Sequence, residues 1–232
     1  MPSFDIVKQS RPDKTYRVSS VLGAFDLSID KVREQFTGSI DTEGKDWNVG
    51  LIVGASGTGK TTIAKEVFPD SYVFENKYCR GAVIDDMPEG KSVKDITKAF
   101  TSVGFASPPS WLKPYSVLSN GEKMRCDLAK AILDDKELIV FDEFTSVVNR
   151  EVAKTGSLAI QKAVRRSGKQ FIAVACHSDI IEWLQPDWIY NTDEQRFFFV
   201  KANTGDQTLA LKSTGATATG KRFGNLLKSI II

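Results

Sequence analysis

The chain has 232 residues, 41% of them hydrophobic and 26% charged, the composition of a globular protein with room for one large domain or two small ones. A formal net charge of +2 gives no overall case for a nucleic-acid or membrane-surface partner, so any basic patch must be local. Three scattered cysteines (Cys79, Cys126, Cys176), a single histidine (His177) and no CxxC pair argue against a disulfide framework and against a nitrogen–sulfur zinc site. They predict a reducing, cytoplasmic setting and an oxygen-ligated metal, if any.

The opening Met1-Pro2-Ser3-Phe4-Asp5 has neither the charged nor the apolar region of a leader. No apolar run approaches the roughly 18 residues a membrane span requires, which predicts no membrane insertion. Residues 16 to 27 and 36 to 40 are rich in β-branched and aromatic side chains without helical spacing, which predicts short N-terminal strands. Val49 to Val53 reads as a buried strand running into a glycine-rich turn, and Thr61 to Phe68 as a helix stopped by Pro69. From Asp70 to Val117 the pattern allows one strand, a helix near Val93 to Val103, and a breaker cluster at Ser107-Pro108-Pro109-Ser110.

From Gly121, the apolar positions Met124, Leu128, Ala131 and Ile132 mark a helix packed on one face. Leu138 to Phe141 follows as a strand, Glu151 to Arg166 as a helix ending at Gly168, and Phe171 to Ala175 as a fully apolar strand. Strands alternating with helices predict an α/β fold with a mostly parallel sheet covered on both faces. The division expected is a main domain over 1–202, with a small helical insert at about 85–125, and a C-terminal extension over 203–232. The stretch from Lys201 onward is basic, with Lys201, Lys212, Lys221, Arg222 and Lys228 against only Asp206, a patch able to contact phosphates. Phe223, Leu226, Leu227, Ile230 and Ile231 form an apolar stripe at helical spacing, which suits a helix folded back on the domain or one docked on a partner.

Gly54-Ala55-Ser56-Gly57-Thr58-Gly59-Lys60-Thr61 matches G-x-x-x-x-G-K-[ST] at every fixed position, between a predicted strand and a predicted helix. Glycines there turn backbone N–H groups onto phosphates, and the helix N-terminus adds its positive dipole end. The pattern predicts an ATP site on Gly54 to Thr62, with Lys60 on the β- and γ-phosphates and the Thr61 hydroxyl on Mg²⁺. Asp142 and Glu143 leave the C-terminal end of an apolar strand, where open α/β sheets bind ligands. Asp142 suits the acid that holds Mg²⁺, and Glu143 the residue that orients the attacking water.

Leu118-Ser119-Asn120-Gly121-Glu122 resembles the LSGGQ or LSGGE signature of ABC ATPases, with Asn120 for the first glycine. Ser119 and Asn120 are also good helix caps. Asp142 to Asn149 resembles the family's DEPTSALD, with Phe144 for Pro and Asn149 for the final Asp, and Cys176-His177-Ser178-Asp179 resembles its H-loop. The resemblance implies a P-loop NTPase of the ABC ATPase type, with N-terminal antiparallel strands and a reduced helical subdomain. It implies ATP hydrolysis between two copies of the chain, where Lys60, Thr61, Asp142, Glu143 and His177 of one face Ser119, Asn120, Gly121 and Glu122 of the other. The Q-loop glutamine is missing, with Ile84-Asp85-Asp86 in its place. Phe25, Phe36 and Tyr16 are the candidates for stacking on adenine, each with the alternative of a core position.

Within the family, the chain is similar to a group of stand-alone ABC-type ATPases from bacteria and phages, elsewhere fused to an acetyltransferase domain. Lys60 and Ser119 are 59 positions apart, considerably fewer than in transporter subunits. The partner expected is therefore nucleic acid or a protein of a regulatory assembly, with the ATP-binding subunit of an ABC transporter as the alternative and a P-loop kinase as the third class.

Overall fold

The computed structural model describes residues 3–9, 13–27, 33–71, 78–201 and 210–213. In chain order the elements are β1 (Ser3–Gln9), α1 (Tyr16–Ala24), β2 (Arg33–Ser39), β3 (Val49–Val53), α2 (Lys60–Val67), α3 (Val93–Ser102), α4 (Pro108–Trp111), α5 (Asn120–Leu133), β4 (Leu138–Phe141), α6 (Arg150–Ser167), β5 (Gln170–Ala175), α7 (Ile180–Leu184), β6 (Trp188–Asn191), β7 (Arg196–Lys201) and β8 (Ala210–Ser213). Six strands form one sheet in the order β4-β5-β3-β6-β7-β8, while β1 and β2 pair separately and antiparallel. Strands β4, β5, β3 and β6 run parallel; β7 and β8 are added antiparallel at one edge.

The alternation of side chains along β3 explains the layering. Val49, Leu51 and Val53 point into a core shared with Phe171, Ala173 and Ala175 of β5 and with residues of α3, α5 and α6. Ile52 points the other way, with Ile172, Val174 and Trp188, into a second core built with Phe4, Trp47, Ile63 and Ala64. The sheet is thus covered on one face by the helices of the insert and α6, and on the other by α2 and the β1–β2 pair. Gly50 permits this second core: a Cβ there would lie 2.2 Å from the Trp188 ring, so only glycine lets that indole cross β3. Among the described residues no helix is long and apolar enough to cross a membrane.

Two local expectations are corrected. Residues 16–24 form a helix, not a strand: the Thr15 side chain caps it by accepting from Val18 N at 3.3 Å, and a side-chain cap outweighs β-propensity where no face is packed. That helix buries none of its residues, which is why it leaves no core-facing stripe to read. The predicted breaker at 107–110 instead starts a helical turn, with Pro108 and Pro109 in the first positions where a missing N–H costs nothing. The extension after 202 contributes β8 to the main sheet. Its predicted apolar stripe from Phe223 lies outside the described residues.

Candidate nucleotide site

The parallel strands deliver all the phosphate-loop, acidic and histidine candidates to one edge of the sheet. Val53 pairs with Ala175 and Asn191, and Phe141 with Ala173. The turns after β3, β5, β4 and β6 therefore leave from neighbouring strand ends.

The loop after β3 is built by glycine. Gly57 and Gly59 have φ of 84° and 82°, the left-handed region that costs other residues about 1–2 kcal/mol. Gly59 caps α2 without a side-chain hydrogen bond, and among the described residues no side chain satisfies the first N–H groups of that helix, which suit an anion. Lys60 is buried and lays its ammonium across the loop, donating to Ala55 O at 2.6 Å. Thr61 and Thr62 sit half-buried in the first turn, while Ala55, Ser56 and Gly57 are exposed at the crest.

The turn after β6 braces this loop, a role unseen in the sequence. The Thr192 hydroxyl is 2.6 Å from that of Thr58, and a Cβ on Gly54 would lie 2.1 Å from the Thr192 oxygen. Ala55 N donates to the Asp193 carboxylate at 3.0 and 3.2 Å. An acid after an apolar strand, the signal that singled out Asp142, also marks Asp193. Phe36 packs from the other side, its ring 2.5 Å from where a Gly59 Cβ would stand.

Asp142 and Glu143 follow β4 directly. Glu143 N donates to Asp142 Oδ1 at 2.9 Å, and Glu143 and Thr145 take left-handed φ of 53° and 68°. This turn thrusts the Glu143 side chain into solvent while Phe144 is fully buried, its N–H donating to Val174 O at 2.8 Å. Among the described residues the buried hydroxyls of Thr145 and Ser146 have no hydrogen-bond partner, and the left-handed φ at two non-glycine positions makes this a strained turn. Asn149 caps α6 through Val152 N at 2.9 Å. His177 is exposed two residues beyond β5.

The signature segment opens α5 with a capping box: Ser119 N donates to Glu122 Oε2 at 2.9 Å and Glu122 N to Ser119 Oγ at 3.4 Å. Ser110 Oγ adds a bond to Glu122 Oε1 at 2.7 Å. Together the Ser110 hydroxyl and the Ser119 backbone and hydroxyl donors hold the Glu122 carboxyl down to about 2. Glu122 is thus engaged as a cap and presents negative charge, which suits it less than Ser119, Asn120 and Gly121 for touching a phosphate. Farther along α5, Asp127 accepts from Tyr78 and Tyr115 at 2.8 and 2.7 Å, and those rings stack with centroids 3.9 Å apart. Burial first, then the Asp127 charge, keeps both phenols protonated and therefore donating. This ties α5 to the insert.

Of the acids in the place of the Q-loop, Asp86 is buried, and its carboxylate accepts from the N–H groups of Cys79 and Arg80 at 3.1 and 3.2 Å. It closes a turn; Asp85 is exposed. Tyr16 and Phe25 are 87% and 71% exposed, so neither is a core residue, whereas Phe36 lies half-buried at the phosphate loop.

No protein-family model matches the chain. The ABC multidrug transporter atrD of Emericella nidulans is 27% identical over 171 residues, covering 72% of this chain but 12% of its own length. LagD of Lactococcus lactis, a lactococcin-G-processing and transport ATP-binding protein, is 29% identical, with 56% of this chain and 24% of the relative covered. The chain thus spans about an eighth to a quarter of the curated relatives' length. Among solved structures, the dimeric bacterial ABC transporter cassette MJ0796 superposes with a TM-score of 0.54 at 14% identity, over 68% of this chain and 87% of that one. The cassette cbiO1 of Clostridium perfringens, part of an ABC transporter complex, gives 0.54 at 18% identity, over 69% and 78%. With its parallel strand order, glycine-built loop and acidic strand end, the chain has the fold of an ABC ATPase cassette.

Proposed function

We propose that the chain binds ATP on Gly54 to Thr62 and hydrolyses it at the interface of a head-to-tail dimer of itself. The observation that carries this is the uncapped N-terminus of α2, with the Lys60 ammonium folded over the loop and Asp142, Glu143 and His177 on adjacent strand ends. Lys60 binds the β- and γ-phosphates, Glu143 orients the attacking water and accepts its proton, and His177 donates toward the γ-phosphate. Ser119, Asn120 and Gly121 of the second copy close the site. Phe36 is the aromatic best placed to stack on adenine.

Thr61 and Asp142 offer a hydroxyl and a carboxylate, a short all-oxygen set that phosphate oxygens and waters complete, which fits Mg²⁺. Bound there, Mg²⁺ neutralises charge on the transferring phosphate. A solved relative by fold is a cassette bound to ADP and Pi, which supports hydrolysis as the reaction.

Replacing Glu143 by Gln tests the assignment. Turnover should fall by about 10² or more while ATP binding persists and the dimer accumulates with ATP in size-exclusion chromatography, because the water loses its carboxylate. Normal hydrolysis in that variant would remove Glu143 from the chemistry.

For the work output, the transport proteins among the relatives support a membrane transport subunit as partner, in preference to the nucleic-acid-associated or regulatory role suggested by sequence alone. The short insert still favours the latter: only α3, α4 and short turns lie between α2 and the signature helix α5 among the described residues. Capture with the ATP-locked Glu143→Gln form separates the two, since retained membrane protein supports the first and retained DNA or RNA the second.

A further inference from the structure

Arg150 occupies the first position of α6, where a cation faces the positive end of the helix dipole and weakens the helix. Something outside α6 therefore accounts for its setting. Its guanidinium pairs with the Asp179 carboxylate and lies over the Trp183 ring, 5.1 Å from the centroid. Asp179 caps α7 and Trp183 lies four residues on, near the helix's other end, hence on the same face. An ion pair and a ring together hold a planar guanidinium in one orientation, which a lysine would not reproduce.

Both charged partners are nearly half exposed, at 44% and 49%, so the pair adds little to overall stability. What it joins is specific. Glu143 lies on the loop that runs into Arg150, and His177 stands two residues before Asp179. The first of these loops has left-handed backbone at Glu143 and Thr145 and buried hydroxyls without partners, so its course depends on how its ends are anchored. The backbone bond from Phe144 to Val174 anchors one end; the Arg150 clasp anchors the other, onto the segment that carries His177.

We infer that Arg150 is a positioning residue that fixes the His177 loop relative to Glu143. This rests on the proposed roles of those two residues. His177 is the only histidine in the chain, so its ring proton resonances can be followed without assignment in the full-length protein.

In Arg150→Ala and, as a milder second variant, Asp179→Asn, those resonances should shift. The kcat for ATP should fall about tenfold, as a displaced catalytic group dictates, with KM within about twofold. Arg150→Lys should recover less than half of the loss, and the melting temperature should move by no more than about 2 °C. Unchanged His177 resonances and kcat in both variants would overturn the inference, as would a fall in kcat that simply tracks the melting temperature. If the parent chain hydrolyses no ATP, the functional proposal fails, and the His177 resonances alone then decide whether the clasp exists.

Discussion

Two helices in this chain open where a phosphate is expected, and they open differently. α2 begins at Gly59, in left-handed backbone and with no side chain on its N–H groups, while α5 begins at Ser119 with its end closed by its own Glu122. The first is held ready by its neighbours: Thr192 and Asp193 from below and Phe36 from the side. The second satisfies itself, so it is a stable end that, in the proposed dimer, meets the partner's nucleotide through Ser119 Oγ and the adjoining backbone. A binding site whose donors are left uncapped depends on distant residues to hold it; one that caps itself does not.

The sharpest way to break the first end is Gly59→Ala. The methyl group meets both the 82° φ and the Phe36 ring at 2.5 Å. Nucleotide affinity, followed by fluorescent ATP titration, should fall by about 10² or more, since displaced N–H groups no longer converge on the phosphates. Adding Phe36→Leu relieves the contact but not the backbone strain, so recovery should be incomplete. Full recovery would show that φ at Gly59 does not matter.

At the second end the effect falls on assembly. Ser119→Arg in the Glu143→Gln background should abolish the ATP-dependent dimer seen in size-exclusion chromatography while ATP binding by the monomer stays within about threefold, because the arginine obstructs only the face offered to another copy. A dimer that survives would refute the trans arrangement.

How legible each end was in the sequence follows the same division. The loop from Gly54 to Thr61 could be read because its glycines, lysine and threonine are consecutive and its flanking strand and helix are local. Its supports could not: Thr58 meets Thr192 across 134 residues and Ala55 meets Asp193 across 138, a proximity created only when β6 aligns beside β3. At α5 the same residues carry two readings. The spacing of Ser119 and Glu122 is that of a capping box, and likeness to a phosphate-binding signature assigns Glu122 to the nucleotide as well. The helix at 16–24 was missed because it packs no face and so leaves no periodic trace, whereas α5, α6 and the core strands announced themselves through what they bury.

The smallest effect concerns that capping carboxylate, and its sign can be worked out. Glu122 is depressed from 4.5 to about 2 in the folded chain. Its stabilisation is therefore fully present above the unfolded value and is lost as the pH falls through the folded one. Glu122→Gln keeps the shape but weakens the acceptor for the Ser110 and Ser119 donors, and should lower the melting temperature by about 3 °C at pH 7, the scale of a weakened cap. The difference between the two proteins should narrow from about pH 4.5 downward and close only below about pH 2, where the carboxyl becomes protonated in the folded state as well. Melting curves across that range test it directly. A constant difference at all pH values would mean that the neutral shape of the side chain, and not its charge, closes the helix, and the signature end would then be free of the negative charge that sets it apart from the phosphate loop.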